Sequence, residues 1–444
     1  MNLLKAFVST ATILMAGLLS FSAFQNTLRA ESNINDNSGK EIRSGTAHIS
    51  GAMESNIYFG NYWQTVNSED ATDSNKEPVK WRVLSNDGNL FVVSDQNLDC
   101  VEYNTSVKTV TWEECSLRKW LNSKFLDNAF TTQEQTAVLE SFVVNQDGAK
   151  GSEAGADTYD KVYLLSIYEV IDPDLGFPTE WSAKGGTRVA LNTEYTKSKQ
   201  ALTNTDMSGA WWLRTPGDAN NAANVFNAGN VFVRGGSVNN FLFAVRPAMN
   251  IDTSKVLFTS PAEGGKTSGA PGPDAMRAVG SYTGSDWKLT IKDDTRPVFD
   301  ASVAGSKTIL KDGEVKLKYV GASTGANEYV SVMIEDKEGN ILYYGNIVDN
   351  TSADAADSGK AAFIVPADLT PGDYKILVFS EQCNGSFKTD LASNIVTLDI
   401  TISKYKTADR NLCIGISAAI VVTACVAAVV AVRKKKLPNH QELP

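Results

Sequence analysis

The chain has 444 residues, 42% of them hydrophobic and 21% charged, with a formal net charge of −10 at pH 7. That length asks for two or three domains, the composition rules out wholesale disorder, and the acidity argues against nucleic acid as a partner. Only two histidines occur, His48 and His440, which removes most histidine-dependent catalysis and most zinc chemistry.

The N-terminus carries Lys5 and then an apolar run from Ala6 to Leu19. One positive charge before a short apolar stretch predicts a secretory signal peptide over 1–30. Residues 31–50 are Ser, Asn, Gly and charge, and predict a flexible lead-in. From 51 to 255 the pattern is mixed. Val79–Val83 alternates apolar and charged residues as a half-buried strand does, Asn86-Asp87-Gly88-Asn89 is a hairpin turn, and Leu90–Ser94 returns. Thr111 and Glu114 are spaced for a capping box ahead of Leu117, Trp120, Leu121 and Phe125 at helical spacing. A second helix is predicted from Thr131 or Thr132, with Gln135 closing its box and Ala137–Phe142 as its apolar side. Val162–Ser166 predicts a buried strand, and a meander follows through Trp211–Arg214, Asn224–Phe226, Val231–Arg234 and Phe241–Arg246. The unit is predicted to be α+β.

Residues 256–286 are rich in Pro, Gly and Ser and predict a linker. From 287 to 403 the pattern is that of an all-β sandwich. Strands are predicted at Trp287–Ile291, Glu314–Tyr319, Tyr329–Glu335, Ile341–Ile347, Ala361–Val365, Gly372–Ser380 and Ile395–Ile402, and the unit lacks the Cys…Trp…Cys pattern of antibody domains. Residues 412–432 carry no charge and span about 30 Å as a helix, the thickness of a hydrocarbon core. Arg433, Lys434, Lys435 and Lys436 follow directly, so 433–444 is predicted to be a cytoplasmic tail. The protein then reads as a single-pass type I protein of the cell membrane with residues 31–410 outside. Those residues carry 35 basic and 50 acidic side chains, a net −15.

Cys413 and Cys425 fall in the apolar run, and Cys100, Cys115 and Cys383 outside it. Cys100 and Cys115 enclose 14 residues, a comfortable loop for a disulfide in an exported protein, against two reduced thiols as the alternative.

Six strings occur in order: Ile57-Tyr-Phe-Gly60-Asn-Tyr62-Trp-Gln64, Val79-Lys-Trp81-Arg-Val-Leu84, Thr111-Trp112 with Ser116-Leu-Arg118-Lys-Trp120-Leu-Asn122, Val162-Tyr-Leu-Leu-Ser166, Trp211-Trp-Leu-Arg214-Thr-Pro-Gly217 and Ala244-Val-Arg246-Pro-Ala248. Together they resemble the bacterial surface domain of unknown function catalogued as 6273. The resemblance implies a C-type-lectin-like fold, akin to the sulfatase-modifying fold, on the cell surface. Residues 287–402 resemble an immunoglobulin-like accessory domain that accompanies it. Formylglycine-generating relatives use a late cysteine pair, and Trp211–Arg246 has no cysteine. Calcium-dependent lectins use Glu-Pro-Asn, Gln-Pro-Asp and Trp-Asn-Asp, and none of these occurs.

Candidate ligand residues crowd the meander. Arg214, Arg234 and Arg246 either converge on an acidic or polar ligand or pair with structural carboxylates and carbonyls. Asn220, Asn221, Asn224, Asn227, Asn230, Asn239 and Asn240 suit sugar hydroxyls and suit turns. Trp211 and Trp212 offer a stacking platform or core; a half-buried strand would leave one of them outside. The ligand-binding set read from this is Arg214, Asn224, Asn227 and Arg234. No catalytic residue, metal or cofactor is predicted. The functional expectation is non-catalytic recognition or adhesion, with an extracellular glycan or protein as partner. The alternatives are a surface enzyme on the sulfatase-modifying type of fold and a structural spacer.

Overall fold

The computed structural model describes residues 43–44 and 55–404. The predicted signal peptide and the apolar run 412–432 lie outside the described residues. Among the described residues no helix is long and apolar enough to cross a membrane.

The protein is mostly β, with short helices, so the α+β expectation gives way to a β-rich fold. The reason is local. The predicted helix at 116–129 forms as Ser116–Trp120, a π-helical turn Leu121–Phe125 and Leu126–Ala129. Its N-cap is Cys115 rather than Thr111: the Cys115 Sγ accepts from the Arg118 amide at 3.4 Å. The second helix is one turn, Thr132–Gln135. Thr131 caps it and Glu134, not Gln135, closes the box. The apolar residues behind it form strands instead, Val138–Leu139 and Ser141–Val143, because the β-branched valines pair with neighbouring strands.

One long sheet passes through the whole molecule. In order it runs Arg277–Ala278, Ile341–Asp349, Glu328–Glu335, Gly372–Gln382, Asp390–Ala392, Asp286–Lys292, Asn56–Tyr62, Glu77–Ser85, Leu90–Ser94, Ala248–Ile251 and Val138–Leu139. The strand Asp286–Lys292 is the splice. Val256–Pro261 pairs antiparallel with it along one edge. Its other partners run parallel: Asn56–Tyr58 beside Asp286–Lys288, then Asp390–Ala392 beside Thr290–Lys292. Trp287, Leu289 and Ile291 belong to the core of the N-terminal unit, although alternation had placed this strand in the sandwich.

The expected linker is therefore part of the fold. Phe258, Ala262 and Ala275 are fully buried. Phe258 packs on Phe379 with ring centroids 5.2 Å apart, closing a small core with Met333, Ile341, Tyr344 and Leu377. Arg43–Ser44, inside the expected flexible lead-in, pairs with Phe258 and Thr259. The Pro and Gly residues break regularity, but Val256–Pro261 has the apolar content to be covered on both sides.

Beyond the splice, a second sheet of Asp300–Val303, Glu314–Val320 and Ser358–Ile364 packs on the long one. Val315, Leu317, Tyr319 and Phe363 meet Val330, Val332, Ile334, Ile376 and Val378 between them. Glu314–Val320 alternates strictly, lysines out and Val, Leu and Tyr in, which is why the sequence located it within one residue.

Candidate functional site

The expected site lies on a five-stranded sheet of Val231–Ser237, Asn221–Val225, Trp211–Pro216, Ala244–Val245 and Asp99–Cys100. Its central strand, Trp211–Pro216, is buried on both faces. Trp211 donates its indole N–H to Arg188 O and Trp212 to Val101 O, both at 3.1 Å. Neither tryptophan is a platform, because a strand covered on both sides obeys no in-and-out alternation.

The polar candidates do not converge. Arg214 is 5% exposed and forks onto Glu169: Nη2 lies 3.2 Å from Oε1, and Nη1 pairs with Oε2. It also donates to Leu164 O at 2.9 Å and Val144 O at 3.1 Å. Asn224 is fully buried, with neither side-chain atom hydrogen-bonded. Arg246 is buried too; it donates to Ser94 O at 2.9 Å and lies 5.0 Å from the centre of the Trp211 ring. Burial and the neighbouring Arg82 push it down to about 9, which leaves it charged at neutral pH. Asn227 sits half-buried at a turn, and Arg234 is exposed and paired with Asp218 at 3.0 Å. Of the four predicted ligand residues, Arg214 and Asn224 are thus enclosed, and their burial is the correction to that reading.

The expected disulfide is absent as well. Cys100 and Cys115 are both buried free thiols. Cys100 donates to Phe241 O at 2.8 Å, while Cys115 is occupied as a helix cap. Burial pushes each thiol up to about 12.

A cleft of about 470 Å³ opens elsewhere, where the two units meet. Tyr58 and Phe387 form its aromatic part, with ring centroids 4.8 Å apart and planes at 57°. Gln64, Gln96 and Asn192 supply amides, Glu77 and Glu194 carboxylates, and Leu191 and Met207 apolar wall. Tyr58, Gln64, Glu77 and Asn192 are each placed by an identifiable device. The pairing of Asn56–Tyr62 with Glu77–Ser85 slips between Tyr58 and Asn61, where Gly60 has φ +72°. A Cβ at Gly60 would lie 2.6 Å from Ala129 O, so the bulge requires glycine. Ahead of the slip, plain alternation leaves Tyr58 half-buried and facing away from Ile57 and Phe59, which are core. Gln64 donates to Pro78 O at 2.8 Å. Glu77 accepts from the Thr65 amide at 2.8 Å and hydroxyl at 3.0 Å. Asn192 is locked by Asn97, whose amide donates to it at 2.7 Å, and by its own bond to Thr203 Oγ1 at 2.8 Å.

Two cleft residues, Met207 (φ 66°) and Phe387 (φ 62°), hold left-handed backbone conformations that L side chains disfavour. Such strain survives only where surrounding contacts impose it. Around Phe387 those contacts are plain. Its amide donates to Ala262 O at 2.6 Å, and Ser386 Oγ accepts from Gly264 N at 3.1 Å. Thr389 Oγ1 donates to Glu134 Oε1 at 2.7 Å, the same carboxylate that closes the Thr131 cap. Lys288 Nζ donates to Gly385 O and to Asp390 Oδ1, both at 2.7 Å. Asp390 Oδ1 also accepts from Asn384 N at 2.8 Å.

Asp390 is the hub of a buried charge cluster under this loop. Lys266 Nζ lies 2.5 Å from Asp390 Oδ2 and 3.2 Å from Glu381 Oε2. Burial opposes the Lys266 charge, but Asp390 and Glu381 outweigh it and hold the pKa above the ordinary lysine value. Burial likewise opposes the Asp390 charge, and the two ammoniums overcome it, holding the carboxyl below the ordinary range. Burial lowers Lys288. Glu381, Cys383 and Asp390 are close enough to share a cation, and the Lys266 ammonium already pairs with the two carboxylates among them.

Sequence reasoning missed this cleft. Tyr58 and Gln64 lie in a string it singled out, and the out-facing register of Tyr58 between Ile57 and Phe59 was a readable signal. Phe387, Gln96 and Asn192 had none, since they reach the cleft through long-range pairing.

Residues 87–253 match the family described as "Domain of unknown function (DUF6273)". No curated protein matches the chain. A solved structure to which it is similar is described as "Crystal structure of the C-terminal domain of wzt": 15% identity, 32% of this chain and 83% of that chain covered, and a TM-score of 0.20. That likeness carries no argument about fold or function.

Proposed function

We propose that this is a bacterial cell-surface recognition protein that binds, without catalysis, a polar chain-like ligand in the cleft between its two units, a glycan foremost. In this reading the signal at 1–30 exports the chain and the apolar run 412–432 anchors it as a type I membrane protein. The N-terminal unit is lectin-like and the C-terminal unit is an immunoglobulin-like stalk. The observation that carries the reading is Phe387, held at φ 62° by bonds from both units and set against Tyr58 over a wall of amides. Aromatic rings offer an apolar face to a sugar ring, and fixed amides both donate and accept toward hydroxyls. A preformed cleft of a few hundred cubic ångströms with few placed polar groups is the usual anatomy of a small-ligand site. A protein segment with an apolar side chain between polar ones is the second ligand class.

The test is a glycan and peptide array probed with soluble residues 43–404, beside the same fragment carrying Phe387→Ala. A fragment ending near 255 would lack both Phe387 and the splice strand. Saturable binding lost in the variant supports the reading. Binding unchanged in Phe387→Ala would overturn it. Silence from a folded fragment would favour a spacer.

A further inference from the structure

The charge cluster at the junction has the parts of a self-catalysed condensation. Lys266, Asp390 and Glu381 side chains are 1%, 2% and 0% exposed, and Lys288 is 2% exposed. Burying two ammoniums and two carboxylates is costly, and replacement by apolar residues is often neutral or better. Lys266 comes from a stretch without regular structure, and its Nζ is fixed by Asp390 Oδ2 at 2.5 Å and Thr290 Oγ1 at 2.8 Å. Asp390 is polarised from its other side, since Oδ1 accepts from Lys288 Nζ and from Asn384 N. Glu381 is oriented by the Tyr344 hydroxyl, which donates to Oε1 at 2.7 Å. Its Oε2 is buried with no hydrogen bond in line, and lies 3.2 Å from Lys266 Nζ.

We propose that Lys266 and Asp390 become joined by an amide bond, formed by the protein itself, with Glu381 as the proton carrier. Glu381 Oε2 takes a proton from the Lys266 ammonium, and the freed lone pair attacks Asp390 Cγ. Nζ, already in contact with Asp390 Oδ2, has to move from that oxygen onto Cγ. Charge developing on Oδ1 is met by two donors already in place, Lys288 Nζ and the Asn384 amide, as in an oxyanion hole. Glu381 returns its proton to Oδ2, which takes a second from the attacking nitrogen and leaves as water. One C–N bond forms and one C–O bond breaks. An ammonium and a carboxylate become an amide and water, and no oxidant or cofactor is needed. Fixed contact between the reacting groups supplies the effective concentration, and a dry pocket disfavours hydrolysis. Glu381 is required as the acceptor of that proton, since Asp390, the other carboxylate on Lys266 Nζ, is the group attacked. The product ties the segment that crosses between the units to the strand beneath the cleft loop, so that tension on the anchored chain meets a covalent bond.

The test is mass spectrometry under denaturing conditions of the full chain, expressed without export so that residues 1–30 are retained. The wild type should be lighter than its sequence by one water, and a branched peptide should join Lys266 to Asp390. Succinimides at Asp87-Gly88 or Asp312-Gly313 also lose water, so the branched peptide decides. Glu381→Gln should restore the unlinked mass, as should Lys266→Arg. Wild-type protein at its full sequence mass overturns the proposal even if neither variant folds. A branch at Lys288 in place of Lys266 overturns the assignment, and a linked Glu381→Gln protein removes Glu381 from the mechanism.

Discussion

The meander sheet and the junction both bury charge, and they settle it in opposite ways. In the meander, Arg214 meets one carboxylate and two backbone carbonyls, and Arg246 lies on a tryptophan with its donors on carbonyls. Each guanidinium is a strut inside one unit. At the junction, four charges from four segments share contacts around Asp390, and the loop they support carries the cleft's aromatic residue. The buried arginines of the meander here serve the scaffold. The buried charges gathered from far apart at the junction instead support the loop that reaches the cleft.

That contrast can be broken most sharply at Asp390. Asp390→Ala strips Lys288 of its carboxylate and removes the group that holds Lys266, whether by ion pair or by the proposed amide, and the expected loss is at the upper end for a broken buried pair, about 5 kcal/mol, enough to unfold many domains. Urea denaturation followed by tryptophan fluorescence would read it. Arg214→Ala should lose about 3 kcal/mol by the same assay, leaving Glu169 with the Ser166 amide but no counter-charge and two carbonyls without this donor. A ligand-binding role would instead have left stability unmoved. Thr389→Val should cost about 1 kcal/mol, the usual worth of a hydrogen bond, by removing the donor to Glu134 that ties the cleft loop to the N-terminal unit. Arg234→Ala, on an exposed pair, should stay within about 0.5 kcal/mol of wild type. For the thiols the outcome is chemical. With pKa values pushed up to about 12, Cys100 and Cys115 should resist alkylation at about pH 8 in the folded protein and react once denatured. A native disulfide would give no labelling in either state.

How much was legible in the sequence divides along the same line. Glu314–Val320 and Leu90–Ser94 were readable because alternation or a hairpin turn declares a strand locally. Trp211–Pro216 misled because a strand covered on both faces has no exposed side, and its arginine was indistinguishable from a binding one. The segment 256–286 misled for a different reason. Its Pro and Gly content describes how the chain bends, whereas its place in the fold rests on Phe258, Lys266 and Ala275 finding partners far along the chain. Lys266 and Asp390 are 124 residues apart, a pairing no local pattern announces. The left-handed backbone of Phe387 is likewise imposed by bonds to Ala262 and by the anchoring of its loop, not by its own residue type.

The account stands or falls on where a ligand sits. The direct measurement is a titration of an array-selected ligand against four folded proteins: wild type, Phe387→Ala, Gln96→Ala and Arg234→Ala. It predicts loss of at least tenfold in affinity, about 1.4 kcal/mol, for Phe387→Ala, a smaller loss for Gln96→Ala, and no change for Arg234→Ala. Binding that survives Phe387→Ala and fails in Arg234→Ala would return the site to the meander and contradict the account.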